Sequence, residues 1–418
     1  GFALADGEVG TTASPAWAKT VPLEPFPGDR SGKFRYGMAY LLSDRQIQKT
    51  EEGFDYVSRL AYEVIDRTGL EEAARISATF DPSNESLDFN FVRILRDGEE
   101  IDRLTGAEIT VLRQEEGLDN SLIDGSLTAL IQLEDVRVGD IVDYSFSGSV
   151  ASKLWPEEFF WTAQVDWSVP LAQMHFRLIV PEDLAVTTRS IATDIAADVE
   201  HADGWTAYTV HVRDPEPVRI EQNLPDDYLL FGLVAFTTME AWSDVVDWAT
   251  PLFAFDEPLP ADFIARLDEI AATYERPAER ATHALRLVQS DIRYLGIEIG
   301  LGSHVPRAPA VTLERGYGDC KDKSVLLVEA LEYLGIGAVP DLLGGDTKPS
   351  RVAERPLYAF LVDRRDLPEV GARRHGLDHG AGAGLSARGQ DRHDLDFSNS
   401  EPYRAPRDRW RLAGDLGS

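Results

Sequence analysis

One cysteine, Cys320, stands in 418 residues, so no disulfide can form within the chain. Positive charge is also scarce. Forty-one Lys and Arg face 72 Asp and Glu, for a formal charge of −31. A phosphate backbone or an anionic membrane surface recruits Lys and Arg, so nucleic acid and such membranes are excluded as partners. No apolar run reaches the roughly 18 residues of a spanning helix, which excludes a transmembrane helix. Histidine is rare too, with eight copies, which leaves few candidate bases. What remains is 43% hydrophobic and 27% charged, the balance of a globular protein with ample core.

Four stretches differ in pattern. Residues 1–35 are rich in Pro, Gly and small residues and read as an extended N-terminal arm. Within them Ala3-Leu4-Ala5 fits a small-x-small cleavage site, so a periplasmic or secreted location is expected. Residues 36–235 alternate with period two. "DFNFVRILRDGEEID" turns at Asp97-Gly98 as a hairpin would, and "SLTALIQLEDVRVGDIVDYSFSGSV" breaks at Val138-Gly139-Asp140. Many short strands at even spacing predict a β-sandwich-like domain or a pair of small sandwiches. Residues 236–362 change to helical spacing in "SDVVDWATPLF", "ADFIARLDEIAATY" and "PAERATHALRLVQSDIRYL", where Pro277 suits a first helical turn. The fold class expected is therefore β followed by α+β, in more than one domain. Residues 363–418 carry no sustained period. From residue 351 onward there are twelve Arg and no Lys against eleven acidic residues. So abrupt a shift reads as a disordered tail or as a stretch outside its original reading frame.

The cysteine lies in "ERGYGDCKDKSVLLVEALEYLGIGAVP", residues 314–340. Val325, Leu326, Leu327, Ala330, Leu331 and Leu334 make a helical apolar stripe, and Gly335 suits its C′ position. Gly316, Gly318 and Asp319 form a tight turn before it, with Asp319 placed to cap the first amides. Cys320 then falls in the first turn, where the helix dipole and the nearby Lys321 and Lys323 favour a thiolate, the alternative being a small buried hydrophobic residue. Tyr317, Asp319 and His304 are the expected substrate contacts, because their loops flank that turn. His175, His201 and His211 read as sheet-surface or edge residues, and His283 as a solvated or interfacial helix residue. Trp242 and Trp248 read as core. His375-x-x-x-His379 has the spacing of a helical zinc pair, but Gly376 and the glycines beyond break such a helix. No metal and no cofactor are expected.

Residues 290–340, "SDIRYLGIEIGLGSHVPRAPAVTLERGYGDCKDKSVLLVEALEYLGIGAVP", resemble the core of the transglutaminase-like superfamily. More narrowly, they resemble bacterial envelope proteins in which a β-rich domain of unknown function precedes that core. "YLLSDRQIQ", "FDPSNESLDFNFVRILRDGEEIDRL", "DGSLTALIQLEDVRVGDIVDYSFS" and "WSDVVDWATPLF" agree with it, so the likeness covers roughly residues 36–360. It implies a papain-like cysteine site. Cys320 would attack a peptide or protein carboxamide, with an imidazole to shuttle the proton and a carboxylate to orient it. The family's histidine is due at Asp363, where none stands, and its orienting carboxylate is due at Asp378. His375 and His379 flank that aspartate and are the candidate bases. Two readings follow. One is a thioester-forming hydrolase or transamidase acting on a protein or peptide. The other is an envelope binding or scaffold protein that keeps the fold without the histidine.

Overall fold

The computed structural model describes residues 7–26, 34, 36–113, 122–123, 125–152, 158–220 and 229–340. The alternating stretches form long strands, because one face of each can be buried while the other meets polar neighbours. The principal sheet has nine strands. They are β1 (Val9–Thr11), β2 (Met38–Lys49), β3 (Gly53–Val64), β5 (Leu87–Arg96), β6 (Glu99–Asp102), β10 (Ile141–Ala151), β12 (Gln173–Pro181), β14 (Asp198–Ala202) and β15 (Trp205–Arg213). Their order is β1-β5-β10-β3-β2-β12-β15-β14, with β6 also pairing with β5. Neighbours are antiparallel except β1 with β5 and β2 with β12. The expected hairpin joins β5 to β6 through Asp97 and Gly98, both at positive φ (53° and 84°), the backbone of a type I′ turn.

Two three-stranded sheets cover one face. One runs β4 (Arg75–Phe80), β9 (Leu127–Gln132), β7 (Thr110–Arg113). The other runs β11 (Phe160–Gln164), β16 (Leu233–Thr237), β13 (Thr187–Ile191). Ile76, Phe80 and Ile131 of the first, and Trp161 and Phe236 of the second, share one apolar core with Tyr56, Phe89, Ile94 and Phe176 of the large sheet. Phe176 stacks on Phe236 at 5.2 Å between ring centroids. Full burial of each such ring is worth about 1.5–3 kcal/mol. The sequence allowed one sandwich or a pair of small ones, and the structure has two small sheets each packed on a part of one large sheet. The parallel β2–β12 pairing makes those parts one continuous sheet.

The opposite face is polar. Arg59, Asp44 and His175 are direct cross-strand neighbours on β3, β2 and β12, all buried, and His211 on β15 continues the row. His175 Nδ1 lies 2.7 Å from Asp44 Oδ1, so this histidine is an interior residue rather than a surface one. Part of the N-terminal arm, up to Phe26, crosses this face without regular structure beyond β1. Side chains of the sheet hold its backbone. Gln46 accepts from the Lys19 N–H at 2.8 Å and donates to the Lys19 carbonyl at 2.7 Å. Arg59, Gln173 and Arg177 donate to the carbonyls of Val21, Pro22 and Trp17. Val21 drops into a small apolar patch with Leu41, Leu42 and Ala61.

Beyond β16 the described chain is mainly helical: α2 (Trp242–Ala249), α3 (Ala261–Thr273), α4 (Pro277–Asp291), α5 (Pro309–Arg315) and α6 (Cys320–Tyr333), with the short α1 (Leu70–Ala73) back in the β region. Pro277 opens α4 as expected. Phe263 and Leu267 of α3, Ala284, Leu287 and Val288 of α4, and Leu326, Leu327, Ala330 and Leu334 of the last helical stretch form a second core. Two short parallel ladders complete the structure. β8 (Leu122–Ile123) pairs with β18 (Gly296–Ile297), and β17 (Arg293–Tyr294) pairs with β19 (Tyr317–Gly318). No described helix is long and apolar enough to cross a membrane.

Candidate functional site

Cys320 is the first residue of α6. The path to it is built from glycines at two steps. Gly316 ends α5 in the left-handed region (φ 67°), so the chain can reverse there. Gly318 has no room for a side chain, since a Cβ would stand 2.7 Å from the Cβ of Asp322. The sequence reading of a simple tight turn is therefore refined. Between the two glycines the chain makes the β19 ladder, with the Leu295 N–H donating to the Gly318 carbonyl at 3.2 Å. At the far end of α6, Gly335 (φ 76°) donates to the Glu332 carbonyl and Ile336 to that of Leu331, a Schellman closure.

Asp319 caps the helix as expected. Its Oδ1 accepts from the N–H groups of Lys321 and Asp322, at 2.9 and 3.1 Å, while Asp322 returns a bond to the Asp319 N–H at 3.2 Å. This is a reciprocal capping box. Asp322 is fully buried and is gripped by Arg307, whose backbone N–H donates to Oδ1 at 2.7 Å and whose Nη1 donates to Oδ2 at 3.0 Å. Arg307 also donates to the Ile297 carbonyl at 3.0 Å, next to Glu298. The Glu298 N–H in turn donates to Ile123 of the strand-rich half at 2.8 Å. A chain of bonds thus ties the start of the cysteine helix to β8.

The electrostatics at the sulfur differ from the expected thiolate. Burial pushes the Cys320 thiol up to about 12, and the charges of Asp319 and Glu298 add to that. Lys321 acts in the opposite direction, through its charge and its backbone N–H, but does not prevail. The reason is geometric. The Lys321 ammonium sits 2.6 Å from Asp319 Oδ2, so its field at the sulfur is largely cancelled. Lys323 points elsewhere and donates to the Ile292 carbonyl at 2.7 Å. Two lysines adjacent in sequence are therefore no guide to the charge that the sulfur feels.

Of the expected substrate contacts, Tyr317 is half-buried in β19 and Asp319 is buried in the cap, its carboxylate committed to the helix and to Lys321. His304 is half-buried after a single 3-10 turn at Gly300–Ser303, its ring edge-on to Trp248 at 6.4 Å. His283 stacks on Tyr274 at 3.8 Å. His375, Asp378 and His379, like all of residues 341–418, lie outside the described residues. Asp322, Arg307 and Glu298 were not singled out in the sequence. The Asp319-x-x-Asp322 spacing is a local signal for the capping box, but Arg307 and Glu298 reach the site only through tertiary packing. Among the described residues no group of three or more His, Cys, Asp or Glu is placed to hold a metal ion.

Comparison with known proteins adds to this picture. Residues 52–219 match the model of a domain of unknown function with a solved structure, DUF3857. The fold is similar to that of a protein from Parabacteroides distasonis described as a candidate protease. The TM-score is 0.62 at 12% identity, over 74% of this chain, which spans 60% of the length of that protein. A leukotriene A4 hydrolase from Saccharomyces cerevisiae overlaps 51% of this chain and 32% of its own at 11% identity, and its TM-score of 0.26 is too low to define a shared fold. No curated protein matches the sequence. Residues 52–219 are thus similar to the DUF3857 domain, and the chain is β-rich and multidomain, similar in fold to the Parabacteroides protein over 74% of its length.

Proposed function

We propose that this chain is a transglutaminase-like cysteine acyl-transfer protein, acting outside the cytoplasm on a protein or peptide, with residues 236–362 as its papain-like core. The observation that carries the reading is the placement of the single thiol at the first residue of a helix whose start is rigidly fixed by Asp319, Asp322 and Arg307. A nucleophile on such an element meets a carbonyl at a defined angle. The Cys320 thiol would lose its proton to His375 or His379, oriented by Asp378, and the sulfur would bond to the carbonyl carbon. The amine leaves as the C–N bond breaks and takes that proton. Water or a second amine then resolves the thioester. Asp319 already takes the Lys321 and Asp322 amides, which leaves the Cys320 N–H as the first-turn donor to the developing oxyanion. The likeness to a protein described as a candidate protease supports hydrolysis or transfer at an amide.

The raised thiol pKa favours the second reading, a scaffold or binding protein that keeps the fold without a working base. One experiment separates the two. The full chain and its Cys320→Ser variant are incubated with peptide amides and a labelled primary amine, and products are read by mass spectrometry. Cleavage or amine incorporation that needs Cys320 supports the enzyme. No turnover from pH 5 to 10 supports the scaffold.

A further inference from the structure

On β2, Arg45, Ile47 and Lys49 face inward, toward the layer between the sheets, where Ile47 is fully buried. Arg45 lies opposite Ser58 on β3, and its Nη1 donates to the Ser58 hydroxyl. The guanidinium carbon stands 4.1 Å from the Tyr56 ring centroid and 5.7 Å from that of Trp161. Its Nε and Nη2 atoms are buried and make no hydrogen bond with any described residue. Buried donors are nearly always bonded, and a buried cation is normally paired, so this pair of N–H groups calls for a partner.

The shape of the partner can be read within the same molecule. Arg59 grips Asp143 through its Nε and Nη2, at 2.8 and 3.0 Å, and Arg96 grips Asp140 through the same two atoms, both at 2.7 Å. That edge of a guanidinium matches the two oxygens of a carboxylate. The nearby Glu85 offsets the Arg45 charge in part without bonding to it; its oxygens accept from the Tyr56 hydroxyl at 2.5 Å and from the Asp81 N–H at 3.1 Å. Lys49, also buried, donates to the carbonyl of Thr50, its own neighbour, at 2.7 Å. Its cross-strand neighbour Phe54 meets Trp161 edge-on at 5.6 Å. In a chain of net charge −31, this end of the sandwich joins two inward-facing cations, Arg45 half-buried and Lys49 buried, with aromatic walls.

We propose that Arg45, walled by Tyr56, Trp161 and Phe54, is a binding site for a carboxylate carried on an apolar or aromatic body. Arg45 as a whole is half-buried but its Nε and Nη2 are closed to solvent, so a ligand reaches them by displacing a side chain of the aromatic wall. The site is independent of Cys320. The carboxylate can be the C-terminus of a peptide or that of a small free acid, and the two are told apart by the probes.

The test is calorimetric titration of the full chain with N-acetylphenylalanine, standing for a peptide terminus, and with 3-phenylpropionate, standing for a free acid. Each is run against its own amide. The expected result is binding of at least one acid, with a loss of about tenfold or more in its amide and in Arg45→Met. The acid that binds more tightly names the source. Without ligand, Arg45→Met should melt at the same temperature as the parent or higher, because it removes unpaired buried donors. Binding of the amides as tightly as the acids, or no binding of either acid at millimolar concentration, overturns the site. So does a clear fall in melting temperature with Arg45→Met, which would mark Arg45 as purely structural.

Discussion

The most direct check on the local electrostatics is the reactivity of Cys320. The perturbation is pH and the probe is an aromatic disulfide, which reacts with the thiolate and reports one thiol per chain. An ordinary thiol titrates near 8.5, so at pH 8 about a quarter is ionised. With the thiol pushed up to about 12, only about one part in 10⁴ is ionised at that pH, a deficit of about 2,000-fold. A more basic thiolate is a better nucleophile. With a Brønsted slope of about 0.4–0.5, that recovers a factor of about 30–50. The native chain should therefore react roughly 40–100-fold more slowly than a free thiol at pH 8, before any loss from restricted access. Its rate should keep climbing about tenfold per pH unit past 9, where a free thiol levels off. The sign for stability follows. The folded state holds this proton more tightly, so the contribution is complete below about 8.5 and is lost as the pH rises above it. Denaturant should restore the free-thiol rate. Fast labelling near pH 6, abolished by His375→Ala or His379→Ala, would refute the reasoning and show a thiolate–imidazolium pair.

Other outcomes follow from the rest of the structure. Asp143→Ala strips two arginines of their shared carboxylate, with Arg59 buried, and should cost about 3–5 kcal/mol in urea unfolding. Gln46→Ala removes both bonds to Lys19 and should cost about 1–3 kcal/mol. It should also speed hydrogen exchange at the Lys19 amide. Gly318→Ala forces a Cβ against Asp322 and Thr312 and should lower stability by about 1–3 kcal/mol while changing the Cys320 labelling rate. Burial, with Arg213 and His175 nearby, holds the His211 pKa below its ordinary value. Its contribution is full above about 6.5 and is lost as the pH falls through the lower folded value, so stability should drop on that side. His211→Gln should flatten that limb of the unfolding profile.

Local chemistry made several features legible in advance. Asp97-Gly98 has to turn, because few residues other than Gly, Asn and Asp accept positive φ there. Pro277 opens a helix, Asp319 caps one and Gly335 ends one, each through bonds within a few residues along the chain. The period-two and helical stretches likewise announced a β region followed by helices, because periodicity records which face is buried. Pairing between distant strands is not recorded in that way. That β2 lies parallel to β12 and fuses two sandwiches into one sheet depends on packing between residues more than a hundred positions apart. The same holds for His175, which alternation placed on a strand but which only Asp44 and the overlying arm make an interior residue. It holds most sharply for Cys320. The sequence by itself determined that a lone thiol opens a helix between Asp319 and two lysines. The tertiary structure decided its charge, by half-burying Cys320, pairing Lys321 with Asp319, turning Lys323 away and bringing Glu298 near. Desolvation and distant charges set a pKa, and neither is written in the neighbouring residues.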